Sequence, residues 1–364
     1  MKGRAKRQVS NLKYVIGNFL FIITLLLLII HCPLSSAFAD YISSKAAIVI
    51  DSETERILFA KNPNLRLPPA STTKLVTAMV VLDRINPETV VSVSRIASEV
   101  PSVSPHIKEG ERYRVKDLLY LALMRSNNGA TVALAEAVSG IESAFVRLMN
   151  EKVERIGAEN TRFANASGLP GGEQYTTAFD LAKIMKESLK YPLIRESLST
   201  KEKEIRSVEG REIFLKNTNQ LLWTDDNVIG GKTGYTKAAQ HCFVCAAKKD
   251  DSTLITVILG QPVRDNLWTD SINLLSLGKE VVNKKSEPII YLSSTSKRKP
   301  VTLASYKMGK KYKMAKTKNV KNIKKIKTAK VQKKLKVAIK QKNKKDNNIK
   351  VTRKSGTNRT RNVS

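Results

Sequence analysis

Apolar positions divide this chain into short blocks of two different periods. Residues 46–50 and 56–60 are brief apolar runs on either side of a polar stretch, 51–55, which is the pattern of a β-hairpin. From 71 to 85 the period lengthens. Leu75, Met79 and Leu82 recur at three or four residues just after Pro68-Pro69, and this predicts a helix. The same spacing predicts helices over 117–124, 130–138, 144–156 and 177–189. Strand character returns at 242–247 and 254–259, with Asp250-Asp251 as the turn between them. Strands at both ends and helices between them imply an α/β (α+β) domain: an antiparallel sheet flanked by helices.

The two ends depart from this pattern. Lys2, Arg4, Lys6, Arg7 and Lys13 precede an apolar stretch, 19–30, that only Thr24 interrupts. Ala37-Phe38-Ala39 then offers small residues where a signal peptidase reads. This predicts a signal peptide over 1–39, cut between Ala39 and Asp40, and hence an exported protein of the periplasm or the wall and membrane exterior. An uncleaved anchor is the alternative, because the apolar run 15–30 falls just short of the roughly 20 residues that span a bilayer. Cys32 is a poor lipidation site, since His31 stands where a small residue is required.

Charge separates the other end. The 364 residues carry 64 Lys and Arg against 32 Asp and Glu, a net +32. Residues 297–364 hold 26 of those bases and one acid, Asp346, whereas residues 40–296 are close to neutral. The excess charge therefore belongs to an appendage, 286–364, and not to the domain at 40–285. This segment has no Phe or Trp and isolates its apolar residues among lysines, so it is expected to be disordered, with no second folded domain. A basic tail usually points to nucleic acid. An exported protein meets anionic wall polymers and lipid phosphates instead, so no nucleic acid is expected, and binding would be electrostatic and salt-sensitive.

Three short segments carry chemistry. Ser71 and Lys74 are three apart at a helix start, so their side chains meet on one face, and burial there would free the lysine to act as a base toward the hydroxyl. Ser126-Asn127-Asn128-Gly129 interrupts two apolar helical stretches and reads as a loop that presents polar groups to a cleft. Gly230-Gly231-Lys232-Thr233-Gly234-Tyr235 leads into the 242–247 strand. It is not a phosphate-binding loop: Asn227 stands where that motif needs glycine, and a strand follows instead of a helix. An edge strand with glycines can instead pair with a peptide. Each segment alone also reads as a helix cap, a turn or an edge strand. Cys242 and Cys245 lie three apart on a strand, so they face opposite ways. That geometry opposes a disulfide and favours buried free thiols.

Together, Ser71-Thr72-Thr73-Lys74, Ser126-Asn127-Asn128 and Lys232-Thr233-Gly234 resemble the S-x-x-K, S-x-N and K-T-G set of the penicillin-binding acyl transferases. With Asn165-Ala166-Ser167-Gly168-Leu169 and Asn219-Gln220-Leu221-Leu222-Trp223, the stretch from Asp40 to about Lys285 resembles the serine-type D-Ala-D-Ala carboxypeptidases, the low-molecular-mass penicillin-binding proteins of peptidase family S11. The resemblance implies a beta-lactamase/transpeptidase-like fold and a hydrolase that trims the terminal D-alanine from peptidoglycan stem peptides. It further implies Ser71 as nucleophile, Lys74 as base, Ser126 as proton relay and Asn128 as a substrate amide contact. Lys232 and Thr233 would bind the terminal carboxylate, with Gly234 in the same strand, and the N–H groups of Ser71 and Tyr235 would form the oxyanion hole. It implies no metal or cofactor, and beta-lactams as covalent inhibitors.

Two positions depart from the resemblance: Gly129 stands where relatives often carry Asp, and Gln240 where they usually carry Gly. A D,D-endopeptidase, a beta-lactamase and a non-catalytic wall-binding adaptor remain alternatives. The lactamase needs a loop glutamate, and Glu173 lacks a supporting motif.

Overall fold

The strict alternation of side chains along the strands decides how the sheet is covered. The structure is a computed structural model that describes residues 42–249 and 252–291. The signal segment, the Asp250-Asp251 turn and the residues after 291 lie outside the described residues. The expected start of a disordered appendage at 286 is corrected: Ile289–Tyr291 pair with the strand Ile57–Lys61 and belong to the domain's sheet. The predicted hairpin is β1 (Ala46–Asp51) and β2 (Ile57–Lys61). Two small hairpins follow, β3 (Val90–Ser92) with β4 (Arg112–Arg114) and β5 (Glu202–Arg206) with β6 (Glu212–Lys216). The chain then returns to the main sheet as β7 (Val228–Thr236), β8 (Gln240–Lys249), β9 (Ser252–Gln261) and β10 (Ile289–Tyr291). The main sheet has the order β10-β2-β1-β9-β8-β7. It is antiparallel as expected, except that β10 joins β2 in parallel.

In β1, Ala46, Ile48 and Ile50 enter one buried cluster while Ala47 and Val49 enter another. Likewise Cys242, Val244 and Ala246 of β8 face one way and Phe243, Cys245 and Ala247 the other. Both faces are therefore buried, which is why these strands read as continuous apolar runs. The two cysteines are buried free thiols on opposite faces, as their spacing requires.

One face carries most of the helices. They are α1 (Lys74–Leu82), α2 (Arg95–Glu99), α3 (Val115–Met124), α4 (Asn128–Ser139), α5 (Glu142–Arg155), α6 (Ala178–Ser188) and α7 (Pro192–Ser199). The other face is covered by α8 (Arg264–Val282), through Leu267, Trp268, Leu274, Leu275 and Val281. Every residue of α1 from Lys74 to Val81 is buried, so this helix runs through the core instead of over it. Its first residue is a lysine, and that lysine lies beside the turn that packs against the sheet's edge strand β7.

Candidate active site

The turn that enters α1 is held by its own hydroxyl groups. Residues Ala70–Thr73 form a 3-10 turn, in which Thr72 donates to the Pro69 carbonyl (2.7 Å) and Thr73 to the Ala70 carbonyl (2.8 Å). Ala70 takes φ +47°, a left-handed value rare for a residue with a side chain. The turn leaves Ser71 half-buried and directs it at Lys74.

Lys74 is buried, and its Nζ lies 3.0 Å from Ser71 Oγ, 2.7 Å from Asn128 Oδ1 and 2.6 Å from the Ser167 carbonyl oxygen. Two of these three partners only accept. An ammonium gives one hydrogen to each of the three; in the neutral amine two hydrogens satisfy Asn128 and Ser167 and the lone pair is left for the serine hydroxyl. Burial, reinforced by the charge on Lys232, holds Lys74 well below the ordinary lysine range. The shift favours the neutral amine, whose lone pair is then available to the serine hydroxyl.

Ser126 sits at the break between α3 and α4 with φ +62°. Its Oγ accepts from Lys232 Nζ at 3.0 Å, and the same ammonium donates to the Thr233 carbonyl at 2.8 Å. Burial lowers Lys232 to about 7. Neither lysine has a carboxylate among these partners. The expected loop at 126–129 is shorter than the sequence implied. Asn127 caps α4 by accepting from Ala130 N, and Asn128 already lies in its first turn. Asn128 Nδ2 donates to the Pro101 carbonyl (2.6 Å), and its backbone N–H to Ser102 Oγ (2.9 Å).

The third wall is β7, an edge strand as the sequence predicted. It passes so close to the serine turn that a Cβ on Gly234 would lie 2.9 Å from Ser71 N and 3.0 Å from Ala70 Cβ. That approach sets the Gly234 backbone, one residue before Tyr235, against the Ser71 amide. Thr233 Oγ1 lies 2.7 Å from Thr218 Oγ1, and the exposed Tyr235 ring rests on His241 with centroids 4.5 Å apart. Each predicted site residue is thus on one of three converging walls.

Sequence reasoning missed the group that completes the lysine's surroundings, the carbonyl of Ser167. Asn165 Oδ1 accepts from Gly168 N (2.7 Å) and folds this segment back onto the serine turn. Gly168 has φ +79°, and a Cβ there would fall 1.9 Å from the Ala70 oxygen. The two departures acquire physical readings. Gln240 takes φ +58°, the conformation a glycine would adopt freely. Gly129 lies where a Cβ would be 2.6 Å from the Ala97 carbonyl oxygen, so α2 has moved into the space an aspartate would need. Gly129→Asp is expected to destabilise the protein by about 2–3 kcal/mol through overpacking and a buried carboxylate, read as a lowered urea midpoint.

Residues 34–263 match the family model described as D-alanyl-D-alanine carboxypeptidase. The D-alanyl-D-alanine carboxypeptidase DacF of Bacillus subtilis is 36% identical over 222 residues, 60% of this chain and 57% of that protein. The chain therefore spans less than two thirds of that relative's length. The D-alanyl-D-alanine endopeptidase of Pseudomonas aeruginosa is also 36% identical, over 225 residues, 60% of this chain and 71% of that one. Among solved structures, the D-alanyl-D-alanine carboxypeptidase DacD of Francisella tularensis superposes with a TM-score of 0.62 at 29% identity, covering 65% of this chain and 70% of that one. A mutant of the Streptomyces K15 DD-transpeptidase gives 0.63 at 29% identity, covering 65% and 98%.

Proposed function

This chain belongs to the D-alanyl-D-alanine carboxypeptidase family, and on that premise we propose that it is a serine carboxypeptidase that releases the terminal D-alanine from peptidoglycan stem peptides. The observation that carries the reading is the buried Lys74, whose Nζ lies 3.0 Å from Ser71 Oγ with no carboxylate among its hydrogen-bond partners. In the first step the Ser71 oxygen attacks the penultimate D-alanine carbonyl as its proton passes to Lys74. The oxyanion collects on the N–H groups of Ser71 and Tyr235, a contribution of roughly 3–4 kcal/mol per donor in acyl transfer. The C–N bond then breaks as Ser126 relays to the leaving amine the proton that Lys74 took from Ser71, which frees Lys74 as a base again, and water later hydrolyses the ester on Ser71. Lys232 and Thr233 hold the terminal carboxylate, and the second Nδ2 hydrogen of Asn128 serves a stem-peptide carbonyl. Beta-lactams enter the same site and acylate Ser71.

Two alternatives lose ground on specific observations. A lactamase needs a carboxylate to drive deacylation, but the partners of Lys74 include none and Glu173 is exposed. An adaptor would have no use for two lysines whose burial opposes their charge. Incubating the purified protein with a fluorescent penicillin, with Ser71→Ala beside it, tests the reading. Persistent Ser71-dependent labelling together with D-alanine release supports it, whereas rapid turnover of the label or no label at all overturns it.

The pH dependence follows from Lys232. It is cationic below about 7 and loses its proton above, so the free enzyme loses its carboxylate anchor as pH rises. We expect kcat/KM for D-alanine release to fall about tenfold per unit well above that value, while kcat persists to higher pH because bound carboxylate retains the proton. A kcat/KM that still climbs through pH 9 would contradict this role.

Export by the 1–39 segment, a catalytic domain that runs from about residue 40 through β10 and attachment of the lysine-rich segment after residue 291 to an anionic wall polymer or membrane surface complete the proposal. It rests on the charge asymmetry of the sequence. Equal binding of the protein with and without that segment to anionic vesicles and isolated walls would remove the last part.

A further inference from the structure

Residues 125–128 are laced to the stretch 101–105, with Ser126 left out. Arg125 Nη2 donates to the Ser104 carbonyl at 3.0 Å. Asn127 Nδ2 donates to the carbonyls of Val103 (3.1 Å) and Pro105 (2.7 Å), and Asn128 meets Pro101 and Ser102. Ser126 alone aims its side chain elsewhere, at Lys232. Arg125 also reaches the other side. Its Nη1 donates at 3.1 Å to the carbonyl of Lys216, the last residue of β6. From there the chain runs to Thr218, whose N–H donates to the Met124 carbonyl (3.0 Å) and whose hydroxyl meets Thr233. The guanidinium therefore spans two rims of the cleft, 101–105 and 216–218, directly beside Ser126. Both of its partners are main-chain oxygens, and among the described residues no carboxylate pairs with it.

A planar fork with donors in fixed directions holds two carbonyls at a set separation, which a flexible ammonium does not. That rigidity matters here. Ser126 has φ +62°, a state that a residue with a side chain keeps only when its surroundings impose it. We propose that Arg125 is a positioning residue for proton delivery: by bracing the two rims it holds Ser126 where it can hand a proton to the leaving amine. This inference rests on the carboxypeptidase reading above and adds a residue to it. The bonds of Arg125 reach neither Ser71 nor Lys74, so attack on the carbonyl does not depend on it. Departure of the leaving group does. An amide nitrogen cannot leave as an anion, so breaking the C–N bond needs the proton that Ser126 relays from Lys74. A thioester differs at that step alone. The bond from Ser71 Oγ to the carbonyl carbon forms in the same way and the C–S bond breaks. Sulfur leaves as a thiolate, whose thiol has a pKa of about 8.5, and takes its proton from water afterwards.

The test compares two substrates on the purified full-length protein. One is a pentapeptide ending in D-Ala-D-Ala, the other the same peptide with thiolactate in place of the last D-alanine, which keeps the terminal carboxylate. Arg125→Ala is expected to lower kcat/KM for the amide about tenfold and to change that for the thioester by less than about twofold. Arg125→Lys keeps the charge and the stem but not the fork, and should lose about threefold on the amide alone. It decides the question if the alanine variant does not fold, which thioester turnover reveals. Ser126→Ala should lose more on the amide than either. Adding Arg125→Ala to it should cost no more than about twofold further, since an absent hydroxyl needs no positioning. Equal losses on both substrates in a folded Arg125 variant, unchanged amide turnover, or a further loss of about tenfold in the double variant would overturn the positioning role. D-alanine release by the wild type would then leave the carboxypeptidase reading standing. A wild type that releases no D-alanine would overturn that reading, and the proposal with it.

Discussion

Ser71→Ala, Lys74→Ala and the double variant are expected to lose acylation by the same amount, roughly 10⁴-fold or more. Groups that act as one unit are not additive: once the base is gone the hydroxyl is inert, and once the hydroxyl is gone the base has nothing to receive. The geometry makes Lys74 and Ser71 such a unit, since Nζ lies 3.0 Å from Oγ and the neutral amine, with its two hydrogens on Asn128 and Ser167, has only its lone pair left for the nucleophile. The oxyanion donors and carboxylate contacts remain in all three variants, so each should retain some residual rate over water. Stopped-flow acylation by a chromogenic cephalosporin measures the loss, with circular dichroism to confirm the fold. A double variant markedly slower than either single one would mean that the residues act independently, and the proposed pairing would fail.

Gly168→Ala is expected to damage both the site and the fold. A methyl group there cannot avoid the Ala70 carbonyl, because its Cβ would sit 1.9 Å from that oxygen and 2.7 Å from Thr73 Oγ1. The obstacle is backbone, so the chain at 70–73 must move, and Ser71 moves with it. A displacement near 1 Å at a reacting atom costs on the order of 100-fold in rate. The stability loss should reach about 3 kcal/mol, combining the left-handed backbone with overpacking. Gly110→Ala separates those two contributions, because Gly110 has nearly the same φ, +80°, and nothing within 4 Å. It should cost about 1–2 kcal/mol and leave acylation untouched. Urea midpoints and acylation rates for the two variants provide the comparison. Similar acylation rates in both would show that the Ser167-Gly168 segment does not set the position of Ser71.

What sequence reveals here divides along a physical line. Ser71, Lys74, Ser126 and Lys232 work through side-chain atoms, and only a few residue types supply a nucleophile, a base or a cation. Their identities and spacing therefore carry a signal. Ser167 contributes a main-chain oxygen that any residue possesses, and Pro101 contributes another to Asn128. Such groups leave no trace in residue type. Folding obeys a similar rule. The hairpin of β1 and β2 and helices α1 and α3 to α6 were legible because long apolar runs and steady 3.6-residue spacing mark them. The β5–β6 hairpin rests on Ile205, Ile213 and Leu215 alone, too few positions for a period to show. In α8 the buried set includes Asp270 and Ser271 among apolar residues, which blurs its stripe. The Gly129 departure could be seen in the sequence, but its cause, the approach of Ala97, could not.

The edge position of β7 has a consequence for the protein's own company. A strand that must stay unpaired to receive a peptide also offers hydrogen bonds to any other extended chain, including a second copy of itself. Closing that edge with permanent structure would block substrate. This fold leaves little of it free. Gly230 lies against Leu198 of α7, so close that a Cβ would be 2.7 Å away, and Thr233 is tied to Thr218. The rest of the edge runs beside the buried Lys232 and ends ahead of Lys237. Selectivity against self-association thus comes from rationing the open edge, and the same rationing fixes the register in which a substrate strand can dock.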